Sequence, residues 1–261
     1  MDASMWIAKT GLDAQQKRMS VISNNLANVN TTGYKRDRAA FEDMLYQTVR
    51  QPGAQVAADA QSPTGLMLGT GVRLVSTEKN HVQGSLVTTN NALDLAVQGD
   101  GFFQIAQPDG SIAYTRDGAF KISVTGQLVT SNGAALQPAI TIPPNVASIS
   151  VGMDGTVSVE TAGGGEAQIL GQLQVARFIN PAGLQSIGQN LLKETGASGA
   201  PQVVNPGANG AGQVMQGALE ASNVNVVEEM VNMIETQRAY EINSKAISAV
   251  DGMLRFLNNN M

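Results

Sequence analysis

Few residues in this chain are of types that could support catalysis or metal binding. His81 is the single histidine among 261 residues, and there is no cysteine. Zinc sites built from His and Cys ligands and Cys-His pairs both require a second residue of these types. His81 is therefore expected to be a surface or strand-end residue. The sequence predicts no catalytic, cofactor-binding or metal-binding residue.

The glycines and carboxylates also fall short of an enzymatic motif. GDGFFQ at 99–104 and GTGVRL at 69–74 lack the third glycine of the dinucleotide-binding pattern, and neither GxxxxGK[ST] nor GxSxG occurs. A pair of carboxylates could cleave a glycoside without histidine. However, Asp100, Asp109, Asp117 and Asp154 each precede a glycine. Such pairs supply the positive φ of tight hairpin turns, so a structural role is predicted for these acids.

The composition excludes several classes of partner. The net charge is −5 and only 14% of residues are charged, so the clustered Lys and Arg of a nucleic-acid-binding surface are missing. The sequence contains no run of about 18 apolar residues, so it predicts no membrane-spanning helix. The first residues lack the charged start and apolar core of a signal peptide, so export, if it occurs, is expected to use another route.

The C-terminal stretch, residues 225–257, has the periodicity of a long amphipathic helix. At about 1.5 Å per residue it would be roughly 50 Å long. Its apolar residues form two sets that exceed what one partner helix could cover, so several neighbours are expected. The first set is Val227, Val231, Ile234, Ile242, Ala246, Ala249, Met253 and Leu257, and the second is Met230, Met233, Tyr240, Ile247, Val250 and Leu254.

Arg238 interrupts the first of these apolar sets. Positions 227, 238 and 249, like 231, 242 and 253, are eleven residues apart, which favours a nearly straight helix. The hypothesis for Arg238 is an ion pair with a carboxylate across a contact between subunits.

A second helix is predicted at residues 4–29, from a heptad-like pattern with one lapse at Gln15. Gly33 is expected to be its left-handed C-terminal cap. The apolar positions of the pattern are Met5, Ala8, Leu12, Met19, Ile22, Leu26 and Val29.

Between the helices the pattern changes twice. Residues 37–51 are compatible with a short helix, and residues 52–71 read as an irregular linker. From 72 to about 204 apolar residues alternate with period two, and Asp-Gly or Asn-Gly pairs recur between short runs, which is typical of an all-β domain. Residues 205–212 form a glycine-rich hinge.

The predicted fold class is therefore α+β. The terminal helices would pair as a coiled-coil-like helical domain, residues 1–35 and 222–261, with an extended stretch at 36–71 and an inserted β domain at 72–221. An alternative is that both helices fold onto the β domain as core, although their length and doubled apolar faces argue against it.

Several segments resemble bacterial flagellar rod and hook proteins. SNNLANVNTTGYK at 23–35 is similar to the N-terminal signature of that family, and MVNMIETQRAYEINSKAISAVDGML at 230–254 to its C-terminal signature. VQGDGFFQI at 97–105 and YTRDGAF at 114–120 resemble motifs of its β domain. The chain length and the stretch at 51–73 favour members of the distal rod over proximal rod or hook members, which remain the alternative.

The resemblance implies a structural subunit that polymerises into a straight rod transmitting torque to the hook. It implies terminal helices in an inner tube, self-association, and contacts with proximal rod and hook or junction proteins, peptidoglycan and outer-membrane ring proteins and the flagellar export apparatus. The expected location is the basal body, with the rod crossing the periplasm after export without a cleaved signal peptide. The expected subunit-interface residues are Met5, Leu12, Met19, Ile22, Leu26, Gly65, Gly69, Gly71, Val227, Val231, Ile234, Arg238, Ile242, Met253 and Leu257.

Residues 51–71 carry one charge, Asp59, and are expected to wedge between subunits, with the three glycines allowing close backbone approach. Two other classes of protein stay open. A secreted adhesin or fibre module would share the β pattern but would not need matched terminal helices. A cell-wall hydrolase is the enzymatic alternative.

Overall fold

The chain forms two compact units, seen in a computed structural model that describes residues 3–53, 55–57, 60–61, 63–161 and 167–259. Unit 1 contains Met1–Ala27, Asp37–Glu78 and Asn225–Met261. Unit 2 contains Asn28–Arg36 and Lys79–Val224. Unit 1 is thus assembled from three separated segments, one from each end of the sequence and one from residues 37–78.

Two long helices confirm the terminal periodicity. Helix α1 spans Ala3–Ala27 and helix α2 spans Val226–Asn259. The side-chain Oδ1 of Asn225 accepts hydrogen bonds from the backbone N–H groups of Val227 and Glu228, at 3.0 and 3.4 Å. This N-cap, with Glu228 and Glu229 in the first turn, stabilises the start of α2.

The prediction that Gly33 caps the first helix is wrong. Gly33 does have a left-handed backbone, with φ of 68°, but it lies six residues beyond the end of α1. Its N–H donates to the carbonyl of Glu220 at 2.8 Å, and a Cβ there would lie 2.6 Å from the backbone nitrogen of Asp117. The glycine is required by a close backbone approach within unit 2.

Unit 1 also contains strands that pair in twos. They are β1 Asp37–Asp43, β2 Gln47–Arg50, β3 Gln55–Ala57, β4 Ala60–Gln61, β5 Leu66–Leu68 and β6 Val72–Lys79, whose last residue belongs to unit 2. β1 pairs with β6, β2 with β5, and β3 with β4.

The short helix predicted for residues 37–51 is therefore wrong. Asn25 on α1 holds the start of β1 through both atoms of its side-chain amide: Nδ2 donates to the Asp37 carbonyl and Oδ1 accepts from the Asp37 N–H, each at 2.9 Å. A side chain that pairs with both backbone groups of one residue fixes that residue in an extended conformation. This tertiary contact overrides the local helical pattern.

Unit 2 is the predicted all-β part. Its strands are β7 Leu86–Thr88, β8 Leu95–Gln98, β9 Phe102–Ala106, β10 Ile112–Thr115, β11 Lys121–Ile122, β12 Leu128–Val129, β13 Ala135–Gln137, β14 Val146–Val151, β15 Thr156–Thr161, β16 Gln168–Gln172, β17 Val175–Arg177, β18 Gln185–Gly188, β19 Leu191–Lys193, β20 Gln202–Val204, β21 Gln213–Gln216 and β22 Ala218–Glu220. A 3₁₀ turn covers Pro181–Gly183.

The largest sheet has nine strands, in the order β11-β12-β13-β9-β10-β19-β18, with β17 joining β9 to β20. β14, β15 and β16 form a second sheet, while β21 pairs with β8 and β22 with β7. The last two strands lie beyond the glycine-rich stretch at 205–212, so strand pairing continues to Glu220.

Strand β9 separates two apolar clusters because successive side chains point to opposite faces of a sheet. Phe103 and Ile105 belong to the larger cluster, where the Phe103 and Phe120 rings meet edge to face at 5.2 Å. Phe102 lies in a smaller cluster with Tyr114 and Leu192. Both faces of this strand are buried.

Four of the five predicted turn glycines have positive φ, namely Gly101, Gly110, Gly133 and Gly155. Gly118 is different. A Cβ on Gly118 would lie 1.5 Å from the Leu95 carbonyl oxygen, and the Leu95 N–H donates to the Gly118 carbonyl at 3.0 Å. A glycine is required at position 118 because the Leu95 backbone lies too close for a Cβ, and not because of the value of φ.

A buried charged cluster lies in unit 2. Glu220 has no exposed surface, and its carboxylate contacts the Lys35 ammonium at 2.5 Å and the Arg116 guanidinium at 3.4 Å. Lys35 and Arg116 are also buried. Burial lowers the pKa of both bases, while the Glu220 charge acts in the opposite direction. The cluster ties the segment that follows α1 to the segment that precedes α2.

Candidate assembly surface

The two helices of unit 1 pack on one another. Gly11 of α1 faces Asn243 of α2, because a Cβ at Gly11 would lie 3.1 Å from the Asn243 Nδ2. The Arg18 guanidinium lies 4.0 Å from the Glu235 carboxylate, at the edge of this contact. The less exposed positions of α2 are Glu229, Asn232, Met233, Thr236, Ala239, Asn243, Ile247, Val250 and Asp251. None of these positions belongs to the first apolar set, whereas Met233, Ile247 and Val250 belong to the second.

The opposite side of α2 is both apolar and exposed. We call Val227, Val231, Ile234, Ile242 and Met253 the α2 stripe. Val227 is 70% exposed and Ile242 is 66% exposed, and the other three residues are exposed to a similar degree. These are residues that the sequence indicated as interface, and the structure leaves them uncovered by the chain itself. Leu257 lies on α2, but its side chain is outside the described residues.

Arg238 is exposed on α2, between Ile234 and Ile242 of the stripe. Within the part of the chain that the structure describes, its guanidinium forms no ion pair. Ion pairs elsewhere in unit 1 join exposed side chains, for example Arg73 and Glu42 at 3.2 Å. The proposed pairing of Arg238 across a subunit contact stays a prediction.

The predicted residues of α1 are covered to a greater degree than the stripe. Met5, Leu12, Met19 and Leu26 are half-buried and Ile22 is buried. The exposed apolar side chains of α1 are instead Trp6 and Ile7, with the Lys9 ammonium 5.3 Å from the centre of the Trp6 ring. Sequence periodicity missed these two, although a lone tryptophan is a residue type enriched at protein interfaces.

A two-stranded arm, formed by β2 and β5 with residues 44–46 before them, adds six exposed apolar side chains. They are Leu45, Tyr46, Val49, Leu66, Met67 and Leu68, and Leu45 is 90% exposed. Gln47 is opposite Leu68 and Thr48 is opposite Met67. Isolated two-stranded ribbons are marginally stable in water, so this arm needs a partner surface. Sequence analysis missed it, because the helix prediction covered residues 37–51.

The three glycines predicted at the interface differ in their surroundings. A Cβ at Gly65 would lie 2.6 Å from Pro52 Cδ, and one at Gly71 would lie 2.1 Å from Thr10 Oγ1. At Gly69 the nearest atom is in the Tyr46 ring, at 3.6 Å. Gly65 and Gly71 thus serve close approaches within the chain, whereas Gly69 leaves room for a side chain.

Unit 1 has very little apolar core. Among the described residues, Ala14 and Ile22 are its buried apolar side chains, whereas unit 2 holds both apolar clusters. Fully burying a Val, Leu or Ile side chain contributes about 1.5–3 kcal/mol to folding stability. Because most apolar side chains of unit 1 are not buried, they contribute little to its stability. The α2 stripe, Trp6, Ile7 and the arm together expose thirteen large apolar side chains on unit 1.

The described residues contain no group of three or more His, Asp or Glu side chains placed to hold a metal ion. No described helix is long and apolar enough to cross a membrane.

Comparison with known proteins gives matches along most of the chain. Residues 5–35 match the family model of flagella basal body rod proteins, residues 96–159 the D1 domain of flagellar hook proteins FlgE/F/G, and residues 215–260 the C-terminal region of flagellar basal body rod FlgEFG proteins.

Individual relatives match over nearly their full length. The flagellar basal-body rod protein FlgG of Buchnera aphidicola (subsp. Acyrthosiphon pisum) is 55% identical over 98% of this chain and 99% of the relative. FlgG of Borreliella burgdorferi is 47% identical over 99% and 98% of the two chains, and FlgG of Bacillus subtilis is 38% identical over 98% of each.

Proposed function

The chain belongs to the flagellar basal-body rod protein family and is a structural subunit of the bacterial flagellar rod, and we propose that it polymerises into the distal rod, a straight, rigid shaft that transmits torque to the hook. The family is structural, so the chain is not an enzyme. The observation that carries the proposal is the exposed apolar surface of unit 1, combined with a near absence of core in that unit.

Polymerisation would follow from the chemistry of this surface. The α2 stripe lies on one side of α2 and the packing on α1 occupies another, so a second subunit has an uncovered face to bind. Contacts between different patches that do not close into a ring generate a filament. In the rod, α1 and α2 would pack with the helices of surrounding subunits in a coiled-coil-like inner tube.

The parts of the rod that we propose for each segment have the boundaries predicted from the sequence. Residues 1–35 and 222–261 would line the tube, residues 36–71 would lie between subunits, and residues 72–221 would form the outer β domain. The exposed arm supports an intersubunit role for the middle stretch, because its six apolar side chains are uncovered.

The stretch at 51–71 would keep the rod straight by restricting sliding between neighbouring subunits. Part of it, residues 54, 58, 59 and 62, lies outside the described residues. Deleting residues 53–63 shortens the connection between β2 and β5 and keeps both strands and Gly71. Electron microscopy should then show curved or poorly ordered filaments, and straight filaments like those of the unaltered chain would refute the wedge.

The partners proposed for the assembled rod are further copies of the chain, proximal rod and hook or junction proteins, and the ring proteins of the peptidoglycan and outer membrane. Export would proceed through the flagellar export apparatus, without a cleaved signal peptide, to a rod that crosses the periplasm. The basal-body location itself follows from the family.

The test is assembly of a variant in which the α2 stripe is charged. Val231→Asp with Ile242→Asp places two carboxylates on the stripe and should abolish pelletable filaments, because unpaired charges cannot be buried in an apolar contact. The control is Ile169→Asp, an equally exposed apolar residue on β16 of unit 2. Filaments of normal length from the double variant would overturn the assembly proposal.

A further inference from the structure

The glycine-rich stretch at 205–212 has no part in the assembly proposal. It contains Asn209-Gly210, one of two Asn-Gly pairs in the chain, and the other is Asn132-Gly133. Both pairs lie in exposed turns of unit 2. An asparagine that precedes a glycine can react with its own backbone, because glycine has no side chain to hinder the approach. The two pairs differ in the hydrogen bonds that their reacting atoms make.

The reaction is an intramolecular displacement of ammonia. The backbone nitrogen of the glycine attacks the side-chain Cγ of the asparagine and a C–N bond forms. The amide nitrogen leaves as ammonia, carrying the proton that the glycine N–H releases. Water then opens the resulting succinimide ring at one of its two carbonyls, which gives aspartate or, when the backbone continues through the side chain, isoaspartate. Both the attacking nitrogen and the side-chain amide must be free to approach each other.

In the Asn132 pair both reacting groups are held. The Gly133 N–H donates to the Thr130 carbonyl at 2.9 Å, so the attacking nitrogen is already engaged. The Asn132 Nδ2 donates to the Gln189 Oε1 at 3.1 Å, which fixes the side-chain amide. Both hydrogen bonds must open before this pair can react.

In the Asn209 pair the reacting groups are not held. Asn209 and Gly210 are the central residues of a turn, with φ of 49° and 74°, that is closed by the Ala211 N–H donating to the Ala208 carbonyl at 2.8 Å. Among the described residues, neither the Gly210 N–H nor the Asn209 side-chain amide makes a hydrogen bond. The Arg177 guanidinium donates to the backbone carbonyl of Asn209, which takes no part in the attack.

From this difference we propose that Asn209 is a deamidation site of the folded chain, and that the fold protects Asn132 from the same reaction. The product carries one more negative charge, close to the Arg177 guanidinium. Isoaspartate also adds one methylene to the backbone between β20 and β21. The site lies in unit 2 and the α2 stripe lies in unit 1, so this proposal is independent of the assembly proposal.

The experiment follows both pairs in the full-length chain. The folded chain is incubated in mildly alkaline buffer, and samples taken at intervals are digested with trypsin and analysed by tandem mass spectrometry. Trypsin releases Asn132 in residues 122–177 and Asn209 in residues 194–238. Each hydrogen bond that must open slows the reaction by about fivefold, so Asn209 should react about 25-fold faster than Asn132. Equal rates, or a faster reaction at Asn132, would overturn the proposal.

The unfolded chain is the first control. In guanidinium chloride neither pair keeps its native hydrogen bonds, so Asn132 and Asn209 should react at similar rates. A difference that persists unchanged in the unfolded chain would assign it to the neighbouring sequence and would overturn the structural explanation.

A variant that releases Asn132 is the second control. Gln189 has φ of 56°, which glycine adopts without strain, so Gln189→Gly removes the side-chain acceptor of Asn132 and suits the backbone. Asn132 should then react about fivefold faster, while Asn209 reacts at the rate of the parent. Amide NMR spectra show whether the variant is folded. An unchanged Asn132 rate in a folded variant would contradict protection by this hydrogen bond.

Discussion

Gly71 and Thr10 are in such close contact that no side chain fits at position 71. A Cβ there would lie 2.1 Å from Thr10 Oγ1, and φ of 116° is itself unfavourable for any residue other than glycine. The next residue, Val72, donates its N–H to the same Thr10 oxygen at 3.4 Å, and the Gly71 carbonyl accepts from the Met44 N–H at 2.8 Å. This contact joins α1 to the strands of unit 1.

Gly71→Ala should therefore destabilise unit 1 by about 2–4 kcal/mol, the sum of a strained φ and an overpacked contact. Trp6 is the single tryptophan and lies on α1, so its fluorescence during urea unfolding reports this unit. The matched control is Gly53→Ala, where φ is 78° and no atom lies within 4 Å, with an expected cost of about 1 kcal/mol. Equal losses in the two variants would contradict the steric explanation.

Glu220→Gln should destabilise unit 2 by about 3–5 kcal/mol, because it leaves the buried Lys35 and Arg116 charges without their counter-ion. Amide hydrogen exchange of β9 and β10 measures the effect in unit 2. Glu78→Gln removes the partner of Arg38 in an exposed ion pair and should cost no more than about 1 kcal/mol. A Glu220 variant as mild as the Glu78 variant would show that the cluster is not an ion-pair network.

His81 should make the fold acid-sensitive. Burial lowers its pKa to about 4, and the charges of Lys35, Arg116 and Lys79 act in the same direction. Between pH 7 and 4 the unfolded chain binds a proton that the folded chain excludes, so stability is present at neutral pH and falls with pH. The loss from this residue should approach about 3 kcal/mol at pH 4.

The check is urea unfolding of the parent and of His81→Leu at several pH values. The parent should lose more stability than the variant between pH 7 and 4, because carboxylates titrate equally in both chains. Parallel pH profiles would remove His81 as the cause.

Arg238→Glu should reduce filament formation if the residue pairs with a carboxylate across a subunit contact. Light scattering and pelleting follow assembly at low and high salt, since an ion pair weakens as salt screens it. Lys121→Glu makes the same charge change on unit 2 and should assemble normally. Unchanged assembly of the Arg238 variant would refute the pairing.

Limited trypsin digestion of the monomer should leave a fragment that begins after Arg73 or Lys79 and ends at Arg238, the nearest trypsin sites on either side of unit 2. The ends contain most of the exposed apolar surface and little core, so they should be cut first. The fragment should extend beyond residue 204 because β21 and β22 pair with β8 and β7. Mass spectrometry of the products identifies its ends. Helices as protected as the β unit would contradict a surface completed only by assembly.

The features that sequence analysis predicted correctly are those encoded by the spacing of residues close together in the sequence. The periods of three and four gave both helices to within three residues, and the Asp-Gly and Asn-Gly pairs located four left-handed glycines correctly. The α2 stripe also followed from periodicity alone, because it is one face of one helix.

Other features depend on partners far along the chain. Lys35 and Glu220 are 185 residues apart, and no local pattern shows that a lysine in one motif and a glutamate before α2 share a buried site. The helix prediction for residues 37–51 was wrong for the same reason. Asn25 and the pairing of β1 with β6 fix an extended backbone that local propensity does not favour. A charged residue inside each of two family-like motifs, Lys35 and Arg116, was the signal available.

The assembly of unit 1 from both ends of the chain has a consequence for timing. A ribosome makes α1 long before α2, so α1 has no partner helix until α2 has been synthesised. The same order places β21 and β22, which pair with β8 and β7, near the end. A truncated chain therefore lacks the α2 stripe as well as the strands that complete the β unit. A subunit therefore presents the α2 stripe only after α2 has been made.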